Sequence, residues 1–319
     1  MSIRAGVVQS WGNAPVYDTI DLPAPSDGQV RVKVLGAGVH TLVCSRAAGK
    51  HFSVAGKHPP HVPGTDGVGV VAGTNQLVYF NALFSPTGSL AQEINLGERD
   101  VFPLPEGADP DMIAVLVNPA MSSWMALASR AGIQPGSNVK VAIVGATGVS
   151  GQIAVQISKA FGASEIVTVG KPGPKLEKTK ELGATALVNL AENLTETDFS
   201  AAADVDVVLD YLWGDVSSAA FAGIIKARKN KSQRLNWVEI GSLAGETQPI
   251  PASLLRSANV ALLGCAPGSW TFPELYGHLP AMLEALVRGA VKTDFEVKKL
   301  EGVESWWNEK GGARPLVKL

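Results

Sequence analysis

The chain has 319 residues, a formal net charge of −2 and a charged fraction of 18%. At roughly 150 residues per domain, this length predicts two domains. The near-neutral charge lacks the electrostatic footprint of a general nucleic-acid binder, and an apolar fraction of 46% excludes a disordered chain. Glycine contributes 34 residues, about 11% of the chain against a usual ~7%, which indicates tight turns and close backbone approaches.

The cysteine content and the apolar stretches exclude further classes of protein. Two cysteines, Cys44 and Cys265, are too few for a disulfide framework or a four-cysteine zinc site. Residues 1–12 lack the apolar core of a secretory signal, so we expect a cytoplasmic protein. The uncharged stretches 112–129 and 141–158 are long enough for a membrane helix, but proline, serine and glycine within them favour buried core elements. We therefore expect neither a membrane nor a nucleic acid as partner.

The first third of the chain reads as strands. Val30, Val32 and Val34 alternate with Arg31 and Lys33, which is the period of a half-buried strand. Short apolar runs follow, and glycine or proline interrupts them about every ten residues. This pattern predicts a small β-rich barrel or sandwich.

The middle third alternates strands with helices. The predicted order is strand 139–144, helix 150–161, strand 166–169 and helix 175–182, with further apolar runs at 205–209, 237–240 and 260–263. Such alternation predicts an α/β domain with a doubly wound parallel sheet. Beyond it we predict a helix over 272–288 and strands at 295–297 and 316–319.

A glycine turn carries the strongest functional signal. Gly145, Gly148 and Gly151 are spaced by three, after a strand and before an amphipathic helix. Gly145 would form the turn, Gly148 would let a pyrophosphate approach the backbone, and Gly151 would let the helix pack on the strand. The alternative is a tight turn without a ligand. The cofactor-binding residues predicted in this segment are Gly145, Thr147, Gly148, Val149 and Ser150.

The second strand of this domain discriminates between the two nicotinamide cofactors. An NAD site usually has an acidic residue at the end of that strand, about 20 residues after the glycines. Here the strand ends at Gly170 and Lys171, and Glu165 lies at its other end. Lys171 and Lys175 are suited to a 2′-phosphate; the alternative is that both are plain solvated lysines. We predict NADP(H), bound in part by Gly170, Lys171 and Lys175.

Several segments together resemble a known family. They are 62–69 (VPGTDGVG), 88–92 (GSLAQ), 104–107 (LPEG), 118–127 (NPAMSSWMAL), 181–184 (ELGA) and 207–214 (VVLDYLWG). In this order and spacing they resemble the medium-chain dehydrogenase/reductase superfamily, in its zinc-independent quinone oxidoreductase-like branch. The resemblance implies a GroES-like, β-rich catalytic domain formed by 1–117 and 267–319. It also implies a Rossmann nucleotide-binding domain over 118–266, with the active cleft between the two.

The resemblance also implies positions around the nicotinamide. Asn118 and Ser122 are expected to approach its half of the cofactor. The residues expected to line its ribose and carboxamide are Gly241, Ser242, Cys265 and Ala266. Each of these is also an ordinary loop position at a strand end. Relatives commonly dimerise through the last strand of this domain, so we expect a homodimer that pairs 260–263; the alternative is a strand covered by its own chain.

Zinc divides this superfamily. Zinc-dependent members have a cysteine before a His-Thr pair and a His-Glu pair after a glycine. Here Val39 replaces that cysteine, and Thr65 and Asp66 replace the His-Glu pair, so His40 alone remains as a ligand. A catalytic zinc site needs about three protein ligands, so we expect no metal.

Without zinc, reduction of a quinone or of a conjugated C=C needs less assistance than alcohol oxidation, because the acceptor carbon is already electrophilic. We therefore expect an NADPH-dependent enzyme that reduces a small quinone, enone or other carbonyl compound. The alternatives are a carbonyl or biosynthetic tailoring reductase, and a cofactor-binding protein without turnover. The expected catalytic residues are His40, His51 and Tyr211. His58 and His61 read as solvated loop residues beside prolines.

Overall fold

The computed structural model describes residues 1–309 and 312–319. In chain order the strands are β1 (Ser2–Val7), β2 (Val16–Asp21), β3 (Gln29–Gly38), β4 (Asp66–Val71), β5 (Leu77–Asn81), β6 (Glu93–Gly97), β7 (Val101–Pro103), β8 (Lys140–Val144), β9 (Glu165–Gly170), β10 (Ala186–Asn189), β11 (Val207–Asp210), β12 (Leu235–Glu239), β13 (Val260–Gly264), β14 (Phe295–Lys299) and β15 (Arg314–Lys318). The helices are α1 (Thr41–Ala47), α2 (Pro110–Met125), α3 (Val149–Ala160), α4 (Pro174–Leu182), α5 (Gly214–Ala227), α6 (Ala252–Ser257), α7 (Phe272–Val287) and α8 (Val303–Trp306).

The chain divides into two compact units. The first comprises 1–118 and 286–319, and the second comprises 119–285. The sequence placed the second boundary after residue 266, whereas the structure places it after residue 285. The difference arises because the segment after β13 is bound to the second unit: Ser129 Oγ donates to Glu274 Oε1 at 2.6 Å, and Arg130 Nη1 donates to the Ser269 carbonyl at 2.6 Å.

The first unit is the β-rich one. Among the described residues its main sheet has the order β14-β15-β3-β4-β5-β7, with β6 also paired to β3, and β1 and β2 form a separate antiparallel pair. Along β3 the side chains of Val32 and Val34 are buried and Lys33 is exposed, as the alternation predicted. One face of this long strand therefore supplies the core.

The second unit contains a parallel sheet of six strands, in the order β10-β9-β8-β11-β12-β13. The chain runs outward from β8 on one side and resumes at β11 on the other, which is the doubly wound arrangement predicted from the sequence. Its core includes Phe221 of α5 against Trp237 of β12, with ring centroids 5.1 Å apart in an edge-to-face arrangement. The carboxyl ends of β8 and β11 define the point at which such sheets bind ligands.

The apolar stretch at 112–129 forms a helix. The helical segment Pro110–Arg130 is long and apolar enough to cross a membrane by length and composition, and 67% of its most apolar window is buried in the structure. A buried core helix of a globular protein has these same properties. This agrees with the interpretation of the stretch as a core element.

A buried carboxylate organises the end of β11. Asp210 is fully buried, and its Oδ1 accepts hydrogen bonds from the Leu212 amide (3.0 Å), the Trp213 amide (3.1 Å) and Ser217 Oγ (2.7 Å). Its Oδ2 accepts from Trp237 Nε1 at 2.9 Å. The same carboxylate thus shapes the turn after β11, where Trp213 has a φ of 53°, and anchors the neighbouring strand β12.

Replacing Asp210 by alanine leaves four donors without their acceptor, so we expect a loss of about 3 kcal/mol or more in the free energy of unfolding. Asp210→Asn retains the size and one acceptor oxygen and should lose less. Urea unfolding of the cofactor-free protein measures both. Values for both variants within about 0.5 kcal/mol of the wild type would show that the carboxylate does not hold this turn.

Candidate functional site

The glycine turn after β8 has the geometry that its first glycine predicts. Gly145 has a φ of 89°, a region that favours glycine. Its amide and that of Ala146 both donate to the Val169 carbonyl, at 3.0 and 3.2 Å. The turn is thereby fixed to β9, the strand that precedes the predicted phosphate-binding lysine.

The other two glycines, Gly148 and Gly151, differ in whether the surrounding structure leaves room for a side chain. A Cβ added to Gly151 would collide with the Gly145 carbonyl oxygen and would lie 2.7 Å from Ala146 Cα, so α3 packs against the turn only with glycine there. Gly148 has an ordinary φ of −78°, and an added Cβ would meet only the Gly145 oxygen, at 3.6 Å. Gly148 is exposed, so its own backbone packing does not require glycine.

The N-terminus of α3 is open. Gly148 is the N-cap residue, and no side chain caps the first turn. Val149 is exposed, and Thr147 and Ser150 are half-buried. Uncapped first-turn amides with a partial positive charge are the groups that bind a phosphate. These residues therefore fit the pyrophosphate of a dinucleotide.

Exposed lysines follow the carboxyl end of β9. A Cβ on Gly170 would lie 2.8 Å from Thr147 Cγ2, so glycine permits the close contact between this strand end and the turn. Lys171 and Lys175 are both exposed, and neither side chain has a hydrogen bond or ion pair within 1–309 and 312–319. Glu165, at the opposite end of β9, forms an ion pair with Lys140 at 2.6 Å. Glu165 therefore lies at the start of β9, away from Lys171, as the sequence predicted.

Three predicted residues meet at one place in the second unit. Ser122 Oγ donates to the Pro119 carbonyl at 2.7 Å, so the Tyr211 hydroxyl, 3.1 Å away, is the donor to Ser122. Cys265 Sγ donates to the Ser122 carbonyl at 3.6 Å. Burial raises the pKa of Tyr211 and raises the pKa of Cys265 to about 12, so both remain protonated at neutral pH. A thiol in this state is a poor nucleophile.

The remaining predicted residues of this unit lie after β12 and β13. The Gly241 amide donates to the Asp210 carbonyl at 3.3 Å, Ser242 Oγ donates to Glu246 Oε1 at 2.8 Å, and the Ala266 amide donates to Ser269 Oγ at 2.9 Å. Asn118, in α2, belongs to the first unit. Their contact with a cofactor stays a prediction.

In the first unit His40 is part of a buried polar network. Its Nε2 lies 3.3 Å from Asp66 Oδ1 and 3.2 Å from Thr65 Oγ1, and the Thr65 hydroxyl donates to Asp66 Oδ1 at 2.8 Å. Asp66 Oδ2 accepts from the Tyr79 hydroxyl at 3.3 Å. Burial lowers the pKa of His40 despite the nearby Asp66, so the imidazole is neutral at neutral pH. Both neighbours accept from Nε2–H, which leaves Nδ1 as the acceptor nitrogen.

The other histidines differ from one another. His51 Nδ1 accepts from the Ser53 amide at 3.2 Å, so His51 caps the short turn Phe52–Val54. Among the described contacts, none joins His51 to His40. His58 is exposed, as predicted. The prediction that His61 is solvated is wrong: it is buried, because its backbone pairs with Val8.

The donor set does not fit a zinc ion. No group of three or more His, Cys, Asp or Glu residues gathers anywhere in 1–309 or 312–319. His40 and Asp66 are near each other, but they are hydrogen-bonded to one another. Asp66 was noted in the sequence only as a departure from the zinc pattern. The acidic residue directly after Gly64-Thr65 was the signal that could have identified it as the partner of His40.

Known proteins share both sequence and fold with this chain. A family model described as zinc-binding dehydrogenase matches residues 150–281. A protein of Emericella nidulans, named a probable NADPH-dependent quinone reductase, is 27% identical, and the alignment covers 99% of both chains. A quinone oxidoreductase-like protein 2 homolog of Nematostella vectensis is 26% identical over 86% of this chain and 73% of that protein. The structure of a quinone oxidoreductase of Pseudomonas syringae superimposes with a TM-score of 0.78 at 18% identity and covers 100% of both chains.

These matches support a place for the chain in the medium-chain dehydrogenase/reductase superfamily. They support its quinone oxidoreductase-like branch and an oxidoreductase activity. The resemblance drawn from the sequence segments is confirmed, and so is the combination of a β-rich unit with a doubly wound sheet.

Two glycine substitutions separate the packing of α3 from binding of the cofactor. Gly151→Ala forces α3 away from the turn and should cost about 1–3 kcal/mol of the free energy of unfolding. Gly148→Ala should leave unfolding nearly unchanged but raise the Kd for the cofactor roughly tenfold, because its methyl group occupies the space that the phosphates approach. Urea unfolding and fluorescence titration with NADPH measure the two effects. A Gly148→Ala variant with wild-type affinity would contradict the assignment.

Proposed function

We propose that the protein is an NADPH-dependent reductase of quinones or of the activated C=C of α,β-unsaturated carbonyl compounds, acting without zinc. The observation that carries the proposal is the open, uncapped N-terminus of α3 after the Gly145–Gly151 turn, beside a strand end that has exposed lysines instead of an acid. The relatives named as quinone reductases support the same reaction class.

The cofactor is held by backbone and by lysine. The amides of Val149 and Ser150 and the open backbone at Gly148 face the pyrophosphate, and Lys171 and Lys175 face the 2′-phosphate. When bound, the reduced nicotinamide supplies a hydride. Tyr211 and Cys265, both protonated, place neutral groups at the strand ends expected to border the nicotinamide.

His40 is the residue that we assign to the acceptor oxygen. His51 Nδ1 is engaged by Ser53, and the Tyr211 hydroxyl is engaged by Ser122, so neither is as well placed to act. Asp66 and Thr65 fix the His40 proton on Nε2 and leave Nδ1 to accept from a water. A water held in this way can donate its second hydrogen to a developing enolate oxygen, which stabilises the charge without a metal.

Assembly and location complete the proposal. Strand β13 is the last in its sheet, and Leu262 within it is exposed. An edge strand of this kind can pair with a second copy across a two-fold axis, so we propose a homodimer. We also propose that the protein is cytoplasmic.

Cofactor preference has a direct test. Lys171→Ala should raise the KM for NADPH roughly tenfold and leave the KM for NADH unchanged, because it removes a charge-assisted contact to the 2′-phosphate alone. Lys180→Ala is the matched control, since Lys180 is on the same helix as Lys175 but pairs with Glu177 at 2.8 Å. Comparable KM values of the wild type for NADH and NADPH would refute the preference.

The reaction is tested by oxidation of NADPH with panels of quinones, enones and aldehydes. We expect turnover with quinones or enones, and a kcat/KM lower by roughly 10- to 100-fold in His40→Ala but not in His58→Ala. An unchanged kcat/KM in His40→Ala across several enones refutes the role of His40. Turnover of aldehydes alone identifies a carbonyl reductase, and tight binding of NADPH without any turnover identifies a cofactor-binding protein.

A further inference from the structure

The β-rich unit contains a buried cation that none of the described residues neutralises. Arg46, in α1, has an exposed fraction of 0%. Its Nη1 donates to the Leu83 carbonyl, whereas its Nε and Nη2 have no hydrogen-bond partner among the described residues. Burial lowers the pKa of Arg46 to about 10, so the guanidinium is still charged at neutral pH.

A second buried arginine shows how this chain neutralises such a group. Arg228 in the parallel-sheet unit is 2% exposed, and two carboxylates, those of Asp204 and Asp206, favour its charged form. Its guanidinium donates to four carbonyl oxygens, those of Ala203 (3.0 Å), Val205 (2.7 Å), Gln233 (3.1 Å) and Arg234 (3.3 Å). The Nε of Arg228 is also without a partner among the described residues, but Arg46 has only one such acceptor, lacks a partner at Nη2 as well, and has no carboxylate acting on it.

The basic groups around Arg46 supply no negative charge to it. Burial and, second to it, the charge of Arg46 lower the pKa of His51, Lys57 and His61, so three basic side chains lie near Arg46, and the two histidines are neutral at neutral pH. An isolated buried charge is costly, and a buried donor without an acceptor adds to that cost. An anion is therefore the missing component.

More polar atoms without partners belong to the same part of the chain. His61 Nε2 and Ser89 Oγ are buried and have no hydrogen-bond partner among the described residues, and neither has Ser85 Oγ, two residues after Leu83. Imidazole and hydroxyl groups, like the two free guanidinium nitrogens of Arg46, can donate hydrogen bonds to oxygen atoms. His61, which Arg46 influences, and Ser85, close in sequence to the Arg46 acceptor Leu83, provide further polar contacts for a ligand that carries acceptor oxygens.

An apolar surface adjoins the buried cation. Phe52 and Phe84 are each 54% exposed, and their ring centroids are 6.5 Å apart. Phe84 directly follows Leu83, whose carbonyl is the single acceptor for Arg46. The His51 ring lies 4.2 Å from that of Phe52. Exposed aromatic rings next to a cation suit a planar aromatic ligand that has a negative group.

We propose that Arg46 binds the carboxylate of an aromatic acid whose ring packs on Phe52 and Phe84, and that the enzyme thereby selects substrates carrying an acidic group. The selection of acidic substrates rests on the proposed function, whereas the binding of an aromatic carboxylate at Arg46 does not. Because the guanidinium is fully covered, the carboxylate reaches it when the turn that carries Leu83 and Phe84 moves outward. The carboxylate then accepts from Nε and Nη2 in the bidentate geometry that arginine favours.

Binding is tested by thermal unfolding of the cofactor-free protein in sodium benzoate, with sodium chloride of equal ionic strength as reference. At about 100 times its Kd, benzoate should raise the Tm of the wild type by several degrees. Arg46→Gln should abolish the shift. Arg228→Gln, the matched control, should lower the Tm but retain the shift. An equal benzoate shift in Arg46→Gln, or none in the wild type, overturns the proposal.

A surface variant keeps the test decisive if Arg46→Gln does not fold. Phe84→Ala removes an exposed ring, so this variant should fold. The substitution should reduce the rise in Tm caused by benzoate and leave the smaller rise caused by acetate unchanged, because acetate has no ring to pack. Equal benzoate shifts in Phe84→Ala and the wild type would contradict the aromatic part of the site.

Kinetics with a matched pair of aromatic enones, one with a ring carboxylate and one without, test selection of the substrate. We expect the wild type to have a kcat/KM roughly 10- to 100-fold higher for the acid, and this ratio to fall to about 1 in Arg46→Gln. Turnover of both enones without a preference overturns the selection. Benzoate binding without turnover of either enone or of any quinone in the panel contradicts the proposed function and leaves the binding site standing.

Discussion

The close approach of helix α3 to the turn after β8 is the constraint on which the nucleotide unit depends. Gly151 permits it, because any side chain there would meet the backbone of Gly145 and Ala146. The approach leaves the first amides of α3 uncapped at the carboxyl edge of the sheet, next to the point where the strand order reverses. Without it, those amides would not face a phosphate, and Gly170 would not meet Thr147.

Buried carboxylates organise the polar side chains in both units. Asp210 fixes the turn that leads through Tyr211, and Asp66 fixes the proton of His40 on Nε2. In each case one carboxylate satisfies several donors at once, which makes its burial tolerable. Arg46 has no such counterpart in the part of the chain that the structure describes. The contrast explains why this cation, and not Arg228, is the group that we assign to a ligand.

Periodicity and glycine spacing predicted the features that depend on local sequence. The alternation around Val32, the strand-turn-helix at Gly145–Gly151 and the position of Glu165 all correspond to the structure, because short-range backbone geometry determines them. Burial of His61 and the boundary after residue 285 were missed, since both arise from contacts between segments far apart in the chain. The partnership of His40 with Asp66 and the missing counter-ion of Arg46 have the same origin: each depends on which side chains the fold brings together.

The central claim is that the amides at the start of α3 hold the pyrophosphate of a nicotinamide dinucleotide. Hydrogen–deuterium exchange of residues 147–152, measured by mass spectrometry with and without saturating NADPH, tests it most directly. The account predicts markedly slower exchange in this segment when NADPH is bound, and unchanged exchange at Glu165 and Lys140 on the opposite edge of the sheet. Unchanged exchange at residues 147–152 in the NADPH-saturated protein would contradict it.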